Sequence, residues 1–264
     1  MGGDDLGDDD EYLLAPVVDN NDDEPVVKRP VVSDANDEKS ADQQPAAKKR
    51  KVLPNTNNTN QVLIQAGCGI ESSSVDEQLS FLQASLKHYS LLAADQGASK
   101  VTFSSSLTTK SLVSSMKDTL TDRLRDVVSL KRLKKHRDVR SPAVVIVAQS
   151  ARRAVAILQE LTPLHLRATK LFPKNGDVAQ QVTQLRQTPF PLAVGTPHRL
   201  VALCAAPKGL DLARTQLVVL DAFVSKKQYT VCTLPDTAAD TMALLQDHVI
   251  PQMKTNKNLK LAFL

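Results

Sequence analysis

Two short turns hold the residues best suited to chemistry. Gln149-Ser150-Ala151-Arg152-Arg153 follows the apolar run AVVIVA, and Gly195-Thr196-Pro197-His198-Arg199 follows FPLAV. Each sets a hydroxyl residue where a helix is expected to begin and guanidinium groups in its first turn. The unpaired backbone N–H groups there carry a partial positive charge. Helix stability alone would select Asp or Glu at such positions, and an exposed arginine opposes the dipole by about 0.3–1 kcal/mol. Two arrangements resolve the mismatch. Phosphate could dock on the N–H groups and the guanidinium groups together, or Arg152, Arg153 and Arg199 could reach carboxylates within the fold. In the second turn Thr196 suits the N-cap, Pro197 the first helical position and Gly195 the tight turn.

No catalytic set accompanies these turns. A phosphate-cradling P-loop needs G-x-x-x-x-G-K-[ST], and no glycine of this chain precedes a lysine. Lys110-Ser111 supplies the last two letters, but Thr109 stands before them. Gly67-Cys68-Gly69 is too short for a dinucleotide fingerprint. A Mg²⁺ site would want paired carboxylates after the run ending at Leu220, where Asp221 stands alone before Ala222, Phe223 and Val224. His136, His165, His198 and His248 lack ligand spacing, as do Cys68, Cys204 and Cys232, which read as small hydrophobes in a reducing compartment. The expectation is therefore no catalytic residue, no metal, no cofactor and no small-molecule substrate.

The elements that would carry the turns are legible as periodicity. Ala143–Ala148 is wholly apolar and β-branched, the pattern of a strand buried on both faces of a parallel sheet. An amphipathic helix follows through Ala154 and Leu158. Strands are expected at Leu166–Phe172, Pro191–Val194, Gln216–Leu220 and Leu259–Leu264. Helices are expected at Asp177–Gln187, Pro197–Ala205 and from Asp236 to about Met253. Such alternation predicts an α/β fold with a single parallel sheet flanked by helices. Ahead of it, Ser74 and Glu77 fit a capping box that opens a helix. A second helical pattern runs from about Lys110 to Lys135 through Leu112, Met116, Leu120, Leu124 and Val127. Its end carries Arg123, Arg125, Lys131, Arg132, Lys134, Lys135 and Arg137, more cations than a helix end needs, which invites contact with a polyanion.

Charge divides the chain. Residues 1–47 hold 14 acidic and 3 basic residues, a net of −11, and residues 48–264 hold 15 and 30, a net of +15, which together make the overall +4. A basic body suits nucleic acid. Residues 1–60 are rich in Asp, Asn, Pro and Ser and read as a long disordered acidic tail. Within it Lys48, Lys49, Arg50 and Lys51 form the basic strip of a nuclear import signal. Three regions are expected: the tail at 1–60, a helical, basic lead-in at 61–140, and the α/β domain at 141–264. No run is long and apolar enough to span a bilayer and no signal peptide is read, so a soluble intracellular protein with no membrane partner is expected.

Across Val144–Leu220 the motifs resemble the first RecA-like domain of DEAD-box RNA helicases. VVIVAQSARRAVAILQEL is similar to the strand and helix of the P-T-R-E-L motif, with Ser150 for the threonine and the arginine displaced to Arg152 and Arg153. Asn175-Gly176 falls where the double glycine belongs. Thr196, Pro197 and Arg199 match T-P-G-R, with His198 replacing glycine. VVLDAFV keeps Asp221 of D-E-A-D and has Ala222 for the glutamate. VCTLPD (Val231–Asp236) has the look of S-A-T, but its place before the last helix makes Leu259–Leu264 the better candidate for that strand.

More narrowly, the acidic tail, the import strip, KLFPKN, AVGTPHRL, VVLDAF, KKQ and LKLAFL resemble the Cms-one family of helicase-like small-subunit pre-ribosome factors. The resemblance implies a single RecA-like pseudo-helicase domain in the nucleolus, with pre-rRNA or an associated small nucleolar RNA and small-subunit pre-ribosome proteins as partners. Carried over by motif, the RNA-binding residues would be Ser150, Arg152, Arg153, Gly176, Thr196, Pro197, His198 and Arg199. The rival readings are a divergent ATP-dependent RNA helicase or ATPase, and a protein-only adaptor with relic motifs.

Overall fold

A computed structural model describes residues 56–95 and 107–264. The acidic tail and the import strip at Lys48–Lys51 lie outside the described residues. The described residues belong to one compact unit, in which the lead-in helices share a core with the sheet. The chain runs through helix α1 (Thr56–Gly67), α2 (Val75–Asp95), α3 (Leu120–Val127) and α4 (Leu130–Lys134) to strand β1 (Val144–Val147). There follow α5 (Ala151–Glu160), β2 (Ala168–Leu171), α6 (Val178–Gln187), β3 (Leu192–Gly195), α7 (Pro197–Ala205) and β4 (Leu217–Leu220). Helix α8 (Pro235–Ala243), a π-helical stretch (Leu244–Val249), α9 (Ile250–Thr255) and β5 (Lys260–Phe263) close it.

The five strands form one all-parallel sheet in the order β2-β3-β1-β4-β5. Alternate residues feed two cores, as the strand period of two requires. Val145, Val147, Val218 and Leu220 face a core shared with α1, α2, α6, α7 and α8. Val144, Ile146, Leu217 and Val219 face the other, shared with α3, α4 and α5. The sheet is thus covered on both faces, which is why its central strands read as unbroken apolar runs.

Local chemistry explains most boundaries. Ser74 and Glu77 close the expected box: Ser74 N donates to Glu77 Oε2 at 2.8 Å and Glu77 N to Ser74 Oγ at 3.3 Å. Asp177 and Gln180 do the same for α6. The π-helical stretch precedes Pro251, which has no N–H to give an α-helical bond, so the hydrogen-bond register widens there.

Two expectations need correction. The segment from Lys110 to Lys135 is not one helix. Leu112 pairs in parallel with Leu261, and Val113 N donates to Leu261 O at 2.8 Å, so this stretch covers the outer edge of β5 instead. Thr119 then starts a new helix by accepting from Asp122 N at 3.1 Å, and Val128-Ser129 separates α3 from α4. Helix α1 opens at Thr56, so residues 56–60 are helical although composition placed them in the tail. Leu63, buried in the core, anchors that helix despite its poor helix-forming asparagines.

Candidate functional site

The register brings the sequence-predicted turns to one edge. Val147 pairs with both Gly195 and Leu220, and Leu171 pairs with Gly195. The turns after β1, β2, β3 and β4 therefore all leave the sheet at the same level, at the carboxyl ends where open α/β sheets bind ligands. The switch point lies between β1 and β4. From β1 the chain crosses through α5, on one face, toward β2. From β4 it crosses through α8, on the other face, toward β5.

Arg153 occupies that switch point. Ser150 caps α5, its Oγ accepting from Arg153 N at 3.1 Å. The Arg153 side chain then turns inward. Its Nε and Nη2 donate to the two oxygens of Asp221 at 3.0 and 2.9 Å, and Nη1 donates to Glu160 at 2.9 Å. The guanidinium carbon also lies 4.8 Å from the centre of the Phe223 ring. Asp221 is only 2% exposed, and burial, the larger influence, raises its carboxyl pKa while Arg153 pulls it back. Burial acts to lower the Arg153 pKa, but its hydrogen bonds and charge pairing with Asp221 and Glu160 overcome that and raise it. A bidentate pair of this kind holds both groups charged. The adjoining cavity of about 300 Å³ is lined by Glu71, Asp118, Glu160 and Asp221 against Arg123 and Arg153, an excess of carboxylates that repels an added phosphate.

The second turn is also drawn inward. Arg199 is 9% exposed, and its Nη1 donates to Gly176 O at 2.7 Å and to Gln181 Oε1 at 3.0 Å. Gln181, fully buried, donates in turn to Phe172 O at 3.1 Å and Asn175 O at 3.3 Å. Gly176 takes φ +111°, a conformation that favours glycine. The turn at Thr196–Arg199 is thereby tied to the turn at Asn175–Gly176. Thr196 stands at the N-cap and Pro197 at the first helical position, as expected, but the Thr196 side chain makes no cap hydrogen bond. Gly195 is required for close approach rather than for the turn: a Cβ there would sit 2.6 Å from Leu171 O.

Two charged residues of the predicted set remain outward. Arg152 is exposed, and its side chain takes part in none of the hydrogen bonds or ion pairs found among the described residues. His198 is exposed, with Nδ1 3.2 Å from Asp240 Oδ2 on α8. Ser150 is exposed and Pro197 buried. Among the cysteines, burial pushes the thiols of Cys204 and Cys232 up to about 12, consistent with inert small hydrophobes.

Sequence reasoning missed Gln181, Glu160 and Phe223 as parts of this edge. Gln181 left a signal, a polar residue on the face of α6 that also holds Val178 and Leu185. Glu160 and Phe223 left none, because each meets Arg153 only through the fold.

The fold and this edge define a class: a single parallel α/β sheet whose carboxyl-edge turns are cross-tied by their own arginines. Residues 34–264 match the CMS1 family, described as a U3-containing 90S pre-ribosomal complex subunit, and the chain belongs to that family. Protein CMSS1 of Danio rerio is 28% identical over 123 residues, 46% of this chain and 42% of that protein. Protein CMSS1 of Homo sapiens is 29% identical over 135 residues, 50% of this chain and 48% of that protein. The alignments thus span about half the length of the curated relatives.

Proposed function

We propose that the chain is a non-catalytic factor of small ribosomal subunit biogenesis. It associates with the pre-ribosome and with RNA, and its degenerate DEAD-box-like domain serves as a scaffold that contacts the RNA backbone. The observation that carries the reading is the match of residues 34–264 to a family described as a 90S pre-ribosomal complex subunit. A nuclear, nucleolar location fits that setting, with Lys48, Lys49, Arg50 and Lys51 as the import strip, the residues ahead of α1 as tail, the stretch from α1 to residue 140 as lead-in and 141–264 as the RecA-like domain. The basic balance of residues 48–264 supports RNA as a partner. We assign phosphate-backbone contact at the carboxyl edge to Ser150, Arg152, Thr196 and His198, and the shape of the turns to Arg153, Gly176, Pro197 and Arg199. The Arg153 clamp on Asp221 and the acidic cavity beside it support a role without ATP hydrolysis.

A second reading, a protein-only adaptor with relic turns, is favoured by one observation: two of the three turn arginines are bonded internally. Ultraviolet crosslinking in cells, combined with sedimentation of the tagged chain, tests both. The expected result is cofractionation with 90S particles and crosslinks to RNA that weaken in Arg152→Ala. Cofractionation without crosslinks selects the adaptor, and RNA-stimulated ATP turnover by the purified chain overturns the non-catalytic reading.

A further inference from the structure

The opposite edge of the sheet carries charge that the helicase-like turns do not explain. Two cavities open at the amino ends of the strands. One, of about 410 Å³, lies beside the starts of β4 and β5 and is lined by Arg132, Arg214 and Lys260. The other, of about 340 Å³, lies beside the starts of β2 and β3 and is lined by Lys134, Arg137 and Arg167. Helix α4 contributes to both, and His136, just after it, lines both. Asp138 is the one carboxylate among all the lining residues.

None of the six cations takes part in an ion pair found among the described residues. Arg137 bonds the carbonyls of Lys134 and His136, and Lys260 bonds the carbonyl of Lys110, contacts that fix the side chains without neutralising them. His136 adds an independent sign of an unmet partner. Its side chain is 4% exposed, Nδ1 lies 3.7 Å from Asp138 Oδ2, and the buried Nε2 has no hydrogen-bond partner. A buried ring nitrogen left unmatched is costly unless something completes the site. Six uncompensated cations along one edge repel one another, and stability gives no reason to gather them.

We propose that this amino edge is an RNA-binding surface, separate from the carboxyl-edge turns, that takes the RNA phosphate backbone in its two cationic clefts on either side of α4. Charge complementarity commits the surface to a polyanion. Guanidinium groups dominate it, and they match phosphate oxygens in bidentate geometry. Backbone contact of this kind is indifferent to base sequence. The surface goes beyond the reading above, which places RNA at the other edge.

The test uses the full chain and a short RNA duplex of arbitrary sequence, with affinity measured against salt. Arg132→Ala, Lys134→Ala, Arg167→Ala and Arg214→Ala are combined, since all four are exposed and none makes a side-chain hydrogen bond found among the described residues. Loss of four phosphate contacts lowers the salt slope by about three and the low-salt affinity at least about tenfold. Arg152→Ala, the single contact assigned above to the carboxyl edge, is expected to lower the slope by no more than about one. Unchanged affinity and slope in the fourfold variant overturn the proposal, whatever pre-ribosome sedimentation shows. So does displacement of the duplex by poly-glutamate at equal charge, which would assign the surface to an acidic protein segment. Thermal unfolding confirms that the variant is folded. Should it not be, Arg167→Ala and Arg214→Ala are read singly, each lowering the slope by about one.

Discussion

The two edges of the sheet use similar residues in opposite ways. At the carboxyl edge Arg153 and Arg199 turn inward, onto Asp221 and onto Gly176 and Gln181. At the amino edge Arg132, Arg167 and Arg214 face outward and take part in no ion pair found among the described residues. A guanidinium that finds buried acceptors becomes part of the framework, and its charge is no longer on offer to a ligand. The arginines that most resemble RNA-gripping motifs are thus the least available, and the cations without a motif are the most exposed. Helix α5 tolerates Arg153 against its dipole because the Asp221 contact offsets that cost of about 0.3–1 kcal/mol.

Asp221→Ala puts the greatest strain on this contrast. It removes two of the three acceptors of a guanidinium whose side chain is 17% exposed. An expected loss of about 3 kcal/mol, near the low end for breaking a buried pair because Arg153 keeps Glu160, should appear in urea unfolding. The double variant Arg153→Met with Asp221→Leu should recover most of it. A loss below about 0.5 kcal/mol would show that Arg153 swings freely to solvent, and the two edges would then be alike. Arg199→Ala comes next. It strips the bonds that tie two turns together and leaves Gln181 Oε1 unmatched, for an expected loss of about 2 kcal/mol in the same measurement.

Much of the framework was legible in the sequence, and the reasons are local. The strand at Val144–Val147 shows as a β-branched run, and α7 was found between Pro197 and Ala205 from its proline start. The fate of the arginines was not legible, because Asp221 lies 68 residues from Arg153 and Gly176 lies 23 from Arg199. The amino-edge clefts were legible only through the cationic run that ends at Arg137, and their other members were hidden for the same reason. Their cations come from four separate stretches, around Arg132–Arg137, at Arg167, at Arg214 and at Lys260, and only the strand order gathers them. The helix expected across Lys110–Lys135 does not form at its start because a pairing with Leu261 outweighs a helical spacing of leucines.

Acid titration distinguishes the core from the carboxyl edge with a smaller effect. Burial lowers the imidazole pKa of His88, and burial, partly countered by Asp247, lowers that of His248. In the unfolded chain both rings take a proton near pH 6.5. The unfolded state therefore binds more protons in the window below that value, and stability is lost as pH falls through it toward the lowered folded values. Asp221 has the opposite sign. Its raised carboxyl pKa makes the folded state the better proton acceptor, so acid below its folded pKa adds to stability from that group. The melting temperature should fall between pH 7.5 and 5.5, and by less in His88→Leu. A flat profile in that window would mean that the two imidazoles are solvated.

Arg152→Ala should change stability least, and for that reason it sharpens the comparison most at the carboxyl edge. The side chain is exposed and stands in the first turn of α5. Removing a cation from that position relieves the helix dipole, so the variant should be as stable as the parent or more stable by about 0.3 kcal/mol. Arg153→Ala, by contrast, should be clearly destabilised, since it leaves Asp221 buried and unpaired. Two neighbouring arginines in one helical turn thus separate framework from ligand contact. If Arg152→Ala melts like the parent and still loses RNA crosslinks in cells, the residue is retained for what it touches outside the chain. If it melts like the parent and crosslinks unchanged, the carboxyl edge holds itself together and nothing more, and RNA contact passes to the amino edge.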